Sequence, residues 1–376
     1  MRLFGQPPPT RFSRRAVPGF RLNTLPIARS AMLRLAAACL ALSALLASPA
    51  AAVDRIVKRT GESVAGKIAE MGRDQVALDV TVGADQTVPA NEIDYVEFDG
   101  QPPELRLARS AVEVGNIAQA DEQLASSLQK AGDNRDLKLE IEFLQAQAAA
   151  AQAARDPQQA AGAIEKLRAF STSGIKHYRY YPALRLLART QVLAGKGFEA
   201  RSTYQELAQS PFAEHKLAAR VGEADAAMSD GEIDEAATLY DGVAGESAKQ
   251  PGEVSQVLAA KLGQARVAVA RKSYDQAIET LDGVIGETGP ADTRVQAEAY
   301  VRRGDAFAAK GNAAKDAIMS YLHVDVVPAL SKESELHAEA LYRLKQMWPL
   351  VSENTRASQA ADRLQSLYPN SEWAKK

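Results

Sequence analysis

The sequence predicts a mainly α fold, a solenoid of about seven helix pairs preceded by a small β-barrel-like domain. A short phrase, a turn-forming residue followed by an apolar residue and then an alanine, recurs from residue 115 to the C-terminus. Its alanines recur at intervals of 36 to 43 residues, which indicates a repeat array. Residues 53–99 instead alternate apolar and polar side chains in short runs, as antiparallel strands do.

Charge and cysteine content exclude several classes of function. Residues 1–52 hold seven arginines and no acid, so the remaining chain carries 38 basic and 47 acidic residues, a net charge of −9. A nucleic-acid partner is not expected, because phosphate binding needs a clustered basic face. The single cysteine, Cys39, precedes residue 53, and the four histidines lack ligand spacing. We therefore expect no disulfide, no cofactor and no metal site.

The N-terminus has the pattern of an export signal. Residues 1–31 are rich in Pro and Arg and are interpreted as a disordered leader or a mis-called start. Residues 32–52 are interpreted as a signal peptide, with a basic start, an apolar run and an Ala-x-Ala cleavage site before Val53. This pattern predicts export to the periplasm or cell envelope. The alternative is a retained anchor, which would be the protein's only membrane contact.

A small β-module is predicted over residues 53–100. Its strand pattern resembles SH3-like and Sm-like barrels, and Pro102 and Pro103 follow it. The phrase Gly61–Lys67 matches a phosphate-binding loop, but its second half alternates as a strand does, so a hairpin is predicted instead. The predicted strands are Asp54–Arg59, Val64–Met71, Gln75–Val80, Thr87–Pro89 and Ile93–Phe98.

Residues 104–376 are predicted to form the helical repeats. The alanine that follows each turn packs where two helices cross, because a small side chain lets the backbones approach. These alanines are Ala120, Ala160, Ala200, Ala236, Ala277, Ala317 and Ala360. The residues that carry the family resemblance are most complete in two units, Ala224, Ala227, Gly231, Ile233, Ala236 and Tyr240, and Ala265, Ala268, Tyr274, Ala277 and Leu281, with Lys272 where glycine is usual.

On these residues the helical part resembles the tetratricopeptide repeat family. The period here is nearer 40 than the roughly 34 residues of that family, and HEAT repeats are the second choice. The resemblance implies a superhelix whose concave face is lined by the first helix of each pair and binds peptides. Counting from the matched small residues, that face presents Arg185, Arg189, Asp225, Met228, Arg266, Arg302 and Asp305.

Two readings of these candidate residues stay open. The arginines either grip an acidic or extended segment of a partner, or form a solvated face with internal ion pairs. The segment His177–Pro182 contains Tyr178, Tyr180 and Tyr181, which either anchor an interface or pack at the start of a helix. Acids such as Glu140 and Glu142 are interpreted as parts of solvated helix faces.

The sequence therefore predicts a non-catalytic adaptor of the cell envelope that binds a protein or peptide on its concave face. The β-module is expected to cap the first repeat or to dock a second partner. One alternative is an envelope enzyme or carbohydrate-processing accessory whose site lies in the β-module, with Asp54, Lys67 and Asp79 as the available polar residues. Another is a structural spacer without a ligand.

Overall fold

A computed structural model describes residues 53–80, 83–289 and 292–376, and the segments 1–52 predicted as leader and signal peptide lie outside it. Residues 53–376 form one compact unit. The described chain contains five strands followed by fourteen α-helices. No helix in this part of the chain is both long and apolar enough to cross a membrane.

The helices form seven consecutive pairs, in which odd-numbered helices are the first members and even-numbered helices the second. Each helix packs on its predecessor and on its successor, as in a solenoid. Their bounds are α1 Pro103–Glu113, α2 Ile117–Lys130, α3 Arg135–Arg155, α4 Ala160–Ser173, α5 Tyr180–Leu193, α6 Gly197–Leu207, α7 Ala213–Ser229, α8 Ile233–Ala244, α9 Pro251–Ala270, α10 Tyr274–Glu287, α11 Thr293–Lys310, α12 Ala314–Val326, α13 Ser334–Met347 and α14 Asn354–Leu367.

The N-terminal strands form one antiparallel sheet in the order β4-β3-β2-β1-β5. In β3 the buried residues Val76 and Leu78 alternate with more exposed ones, and the five strands lie where period-two patterning predicted them. Residues Gly61–Lys67 form a turn and the beginning of β2, as the hairpin prediction required. The strand bounds are β1 Asp54–Lys58, β2 Ser63–Met71, β3 Gln75–Asp79, β4 Gln86–Pro89 and β5 Ile93–Glu97.

The sheet and the first helices share one hydrophobic core. Ile56, Val76 and Val96 of the sheet belong to the same buried cluster as Leu105 of α1 and Leu137 of α3. The sheet therefore covers the apolar face that the first helix pair would otherwise expose to water, which is the role of a capping unit in a repeat array. At the other end, Trp373 packs with Leu341 and Leu364 of the last pair.

The turn-then-alanine phrase has the predicted structural meaning. All seven alanines are buried, with at most 6% of their surface exposed. In six of the seven pairs the backbone turns sharply between the two helices through a residue with positive φ. This residue is glycine in four of the pairs, which suits a left-handed conformation that disfavours a Cβ. The four are Gly115, Gly195, Gly231 and Gly311.

Lys272 occupies the same turn position between α9 and α10, with φ 62°. A left-handed conformation costs a non-glycine residue about 1 kcal/mol, and Lys272 is exposed. We expect Lys272→Gly to raise the free energy of unfolding by roughly 0.5–1 kcal/mol, measured by urea denaturation. Ser273→Gly is the control, because φ there is −88° and no strain is relieved. Equal effects of the two substitutions would contradict the strain argument.

Candidate partner-binding groove

The seven predicted concave-face residues all lie on first helices and line two adjoining cavities. The first cavity, of about 420 Å³, is lined by Arg185 and Arg189 of α5 and by Asp225 of α7. The second, also of about 420 Å³, is lined by Met228, Arg266, Arg302 and Asp305. Glu298 of α11 belongs to both cavities. We call this continuous surface the groove.

Most charges in the groove are paired within the chain. Asp225 accepts hydrogen bonds from the Tyr240 hydroxyl of its own pair and from Arg266 of the next first helix, both at 2.7 Å. Asp305 similarly accepts a hydrogen bond from the Tyr321 hydroxyl at 2.9 Å and forms an ion pair with Arg343 of α13 at 3.1 Å. These contacts tie α7 and α11 each to their own second helix and to the first helix of the following pair.

Arg302 is paired as well. Its guanidinium contacts Asp305 at 2.6 Å and Glu339 of α13 at 2.7 Å. Arg266 and Arg302 therefore match the alternative reading, in which the arginines of the concave face form internal ion pairs. Breaking these pairs to bind a ligand would leave carboxylates without partners, so these two arginines are poor ligand contacts.

Arg185 and Arg189 differ from the other arginines of the groove. Both are exposed, and within the described residues neither forms an ion pair or hydrogen bond to a carboxylate. The reason lies in the repeat register. Arg189 precedes Tyr204 by fifteen positions (204 − 189), as Asp225 precedes Tyr240 (240 − 225). The third pair thus carries an arginine where the fourth pair carries the carboxylate.

The groove weakens the solvation of Arg185 although water still reaches the side chain. The surrounding protein, and next to it the positive charge of Arg189, lower the pKa of Arg185 to about 10. The guanidinium stays protonated at neutral pH, and its lowered pKa means that an added negative charge would be stabilising there. Two neighbouring guanidinium groups that form no ion pair within the described residues are an anion-binding arrangement.

The three candidate tyrosines are interior residues. Tyr178, Tyr180 and Tyr181 are each no more than 3% exposed. The Tyr178 hydroxyl donates to Glu140 at 2.7 Å, Tyr180 donates to Glu206, and Tyr181 donates to Asp74 of the sheet at 2.8 Å. This corrects the expectation that these side chains are accessible to a partner, because all three rings are buried against other elements of the chain.

Glu140 is also buried, contrary to its interpretation as part of a solvated face. Its carboxylate is fully enclosed, accepts bonds from Arg179 at 2.9 and 3.1 Å, and lies 3.6 Å from Arg109. Burial raises the pKa of this carboxyl group, but the Arg179 charge and hydrogen bonds outweigh burial and lower the pKa to about 2. A signal for this was present, because Glu140 follows Leu137 by three positions and precedes Leu144 by four on one apolar face.

The polar residues of the β-module have structural contacts. The Asp54 carboxylate accepts bonds from the amides of Ile68 at 2.9 Å and Asp99 at 2.8 Å. Lys67 and Asp79 are exposed and face each other across the β2–β3 ladder. Across residues 53–80, 83–289 and 292–376, no three His, Cys, Asp or Glu side chains converge as metal ligands would.

No family model matches this chain, and no curated protein matches it in sequence. Among solved structures, a tetratricopeptide repeat protein from Parabacteroides merdae is 17% identical, with a TM-score of 0.45 over 72% of this chain and 96% of that one. The apo form of RapI is 12% identical, with a TM-score of 0.42 over 72% of this chain and 76% of that one. Both likenesses are weak, so the assignment of the fold rests on the helix pairs themselves.

Proposed function

We propose that this protein is a non-catalytic scaffold that binds an extended segment of a partner protein in the groove. The observation that carries the proposal is the pair Arg185 and Arg189, two exposed guanidinium groups that form no ion pair within the described residues, whereas Arg266 and Arg302 of the same groove are paired. Two neighbouring guanidinium groups that repel each other gain from a charge-assisted hydrogen bond to a carboxylate. The partner segment is therefore expected to place an acidic group beside them.

The other side of the same cavity offers the complementary charge. Glu298 is half-buried and forms no ion pair within the described residues. A segment that carries an acidic group near Arg185 and a basic or hydrogen-bond-donating group near Glu298 would satisfy both sides. Charges arranged in this way select orientation and register more than they add affinity.

The experiment is a selection from random extended peptides on residues 53–376, followed by affinity measurement by fluorescence polarisation. Reversing both charges, Arg185→Glu with Arg189→Glu, is expected to weaken the selected peptides by at least about tenfold, or about 1.4 kcal/mol. The loss should shrink as salt is added, because the effect is electrostatic.

The matched control is Lys166→Glu with Arg168→Glu. These two residues are exposed on the second helix α4 and make no ion pair within the described residues, so they change the net charge equally outside the groove. Equal weakening by both double variants would show that only net charge matters. If reversing the charges of Arg185 and Arg189 leaves the affinity of the selected peptides unchanged, the assignment of the groove as the binding site is overturned.

Within this proposal the protein acts after export, in the periplasm or envelope, and the β-module, with its SH3-like strand pattern, serves as the N-terminal cap. The export part rests on the basic, apolar and Ala-x-Ala pattern of residues 32–52. A reporter enzyme that is active only outside the cytoplasm, fused after residue 60, tests it. An inactive fusion that becomes active with an established signal peptide would contradict export.

A further inference from the structure

The C-terminal end of the solenoid contacts its second helix pair. The amide of Glu372, in the C-terminal segment, donates to the carbonyl of Arg155 at the end of α3, at 3.1 Å. Arg155 also reaches Ser334 at the start of α13, at 3.4 Å, and Lys375 lies 3.5 Å from Asp156. The last pair therefore touches the second pair. We call these contacts, made by Arg155, Asp156, Ser334, Glu372 and Lys375, the seam.

The seam encloses part of the concave surface. A cavity of about 530 Å³ has one wall from the early pairs, including Arg155 and Leu193, and the opposite wall from Lys332, Glu333 and Glu335. This cavity shares Arg189 with the groove. A chain segment that lies in the groove would therefore lie beside the seam.

The seam is weakly packed compared with the contacts between successive pairs. Its contacts are polar, and they surround a cavity of about 130 Å³ lined by Ala154, Arg155, Ala338 and residues 367–373. No hydrophobic cluster in the described part of the chain contains residues from both sides of it. Each pair, in contrast, buries several apolar side chains against the next. Exposed ion pairs and a few hydrogen bonds contribute little, so the seam is the contact that opens first.

We propose that the seam is a gate, and that an extended polypeptide enters the groove sideways when the gate opens. This rests on the proposed function for the identity of the occupant. The opening itself is a property of the free protein. The Asp156–Lys375 ion pair lies at the rim of the gate, where the Lys375 side chain is half exposed. The charges at these two positions therefore control the fraction of molecules in which the gate is open.

The opening is tested in the free protein with two nitroxide labels, at Gln159→Cys and Ser366→Cys in a full chain carrying Cys39→Ser. Both label positions are exposed and lie on opposite sides of the seam. Pulsed electron paramagnetic resonance is expected to show a short distance and a minor longer one. Lys375→Glu should raise the longer population about three- to tenfold.

Adding Asp156→Lys to Lys375→Glu restores opposite charges and should return the longer population toward its original value. Lys376→Glu is the control, because Lys376 pairs with Glu372 and contacts Trp373 within its own segment. One unchanged short distance in every variant, at low and at high salt, would overturn the gate.

Sideways entry is tested by locking the seam. The backbones of Arg155 and Glu372 are joined by a 3.1 Å hydrogen bond, so these two positions are chosen for a disulfide, whose formation on oxidation is checked by mass spectrometry. In a chain with Arg155→Cys, Glu372→Cys and Cys39→Ser, oxidation should slow association of a selected peptide that carries folded domains at both ends by at least about tenfold. The same peptide with free ends should be slowed less, because it can thread.

Undiminished association of the doubly blocked peptide with the oxidised protein would overturn sideways entry while leaving the proposed function intact. If neither peptide binds the reduced protein or the unmodified chain, the proposed function fails instead. In that case only the nitroxide distances test whether the gate opens.

Discussion

Replacing Glu140 with glutamine is expected to lower the free energy of unfolding by about 3–5 kcal/mol. The glutamine side chain fills the same space but carries no charge. Arg179 and Arg109, whose side chains are only 13% and 12% exposed, would keep their charges without a carboxylate. Leaving a buried cation without a counter-charge costs far more free energy than the ion pair contributed, because water cannot solvate the cation. Urea denaturation followed by circular dichroism measures the change.

The same variant is expected to alter the pH dependence of stability. The folded-state pKa of Glu140, about 2, lies below its ordinary value of 4.5. The unfolded chain therefore takes up this proton first as the pH falls, so the stabilisation is complete above pH 4.5 and is lost as the pH falls through about 2. The shift corresponds to roughly 3 kcal/mol. The difference in stability between wild type and Glu140→Gln should narrow across this window.

Glu142→Gln is the matched control. Glu142 lies two positions away on the same helix and is only half-buried, and its carboxylate contacts the exposed Ser173 at 3.3 Å. We expect its substitution to change the free energy of unfolding by no more than about 0.5 kcal/mol. Equal losses in the two variants, or a Glu140→Gln difference that does not depend on pH, would refute the account of a buried ion pair.

Gly263→Ala is expected to destabilise the protein by about 1–3 kcal/mol, although alanine is the better helix former. Gly263 lies inside α9 beneath the ring of Tyr240 from α8, and a Cβ at this position would overlap the ring. Tyr240 is fully buried and its hydroxyl is held by Asp225. The ring therefore has little room to move, and the clash outweighs the gain in helix propensity.

Gly283→Ala is the same chemical change, but it is expected to change the stability in the opposite direction. Gly283 lies inside α10, and a Cβ there would have no atom within 4 Å. Alanine should therefore stabilise the protein by about 0.5–1 kcal/mol. The melting temperatures of the two variants should move in opposite directions from the wild type. A shift of both in the same direction would contradict the packing role of Gly263.

The backbone architecture was largely predictable, because it depends on local periodicity. Period-two alternation located all five strands, and the turn-then-alanine phrase located the helix pairs and their buried alanines. The sixth pair has one extra residue in its turn, because Ala317 follows Gly311 by six positions whereas Ala236 follows Gly231 by five. The extra residue shifts Tyr321 to sixteen positions after Asp305 (321 − 305), compared with fifteen in the fourth pair.

For the candidate site, the sequence predicted which helix faces meet but not which charged side chains pair. Counting from small residues placed the arginines on one surface, but pairing depends on residues some 40 positions away, such as Arg266 with Asp225 and Arg302 with Glu339. The tyrosines of residues 178–181 show a second limit. Tyr and Arg anchor interfaces between proteins and also interfaces between parts of one chain, and the sheet that covers Tyr181 is more than 100 residues away.

The return of the C-terminal segment to the end of α3 fixes how many helix pairs this chain can hold. Each added pair advances the chain by one further step around the superhelix axis, so an eighth pair would carry Glu372 and Lys375 past Arg155 and Asp156. One pair fewer would stop short of them. Open solenoids lengthen readily by duplication of whole units. Duplication of a unit here would break the contacts of the seam, so we expect the number of pairs in this array to be constrained in a way that it is not in an open solenoid.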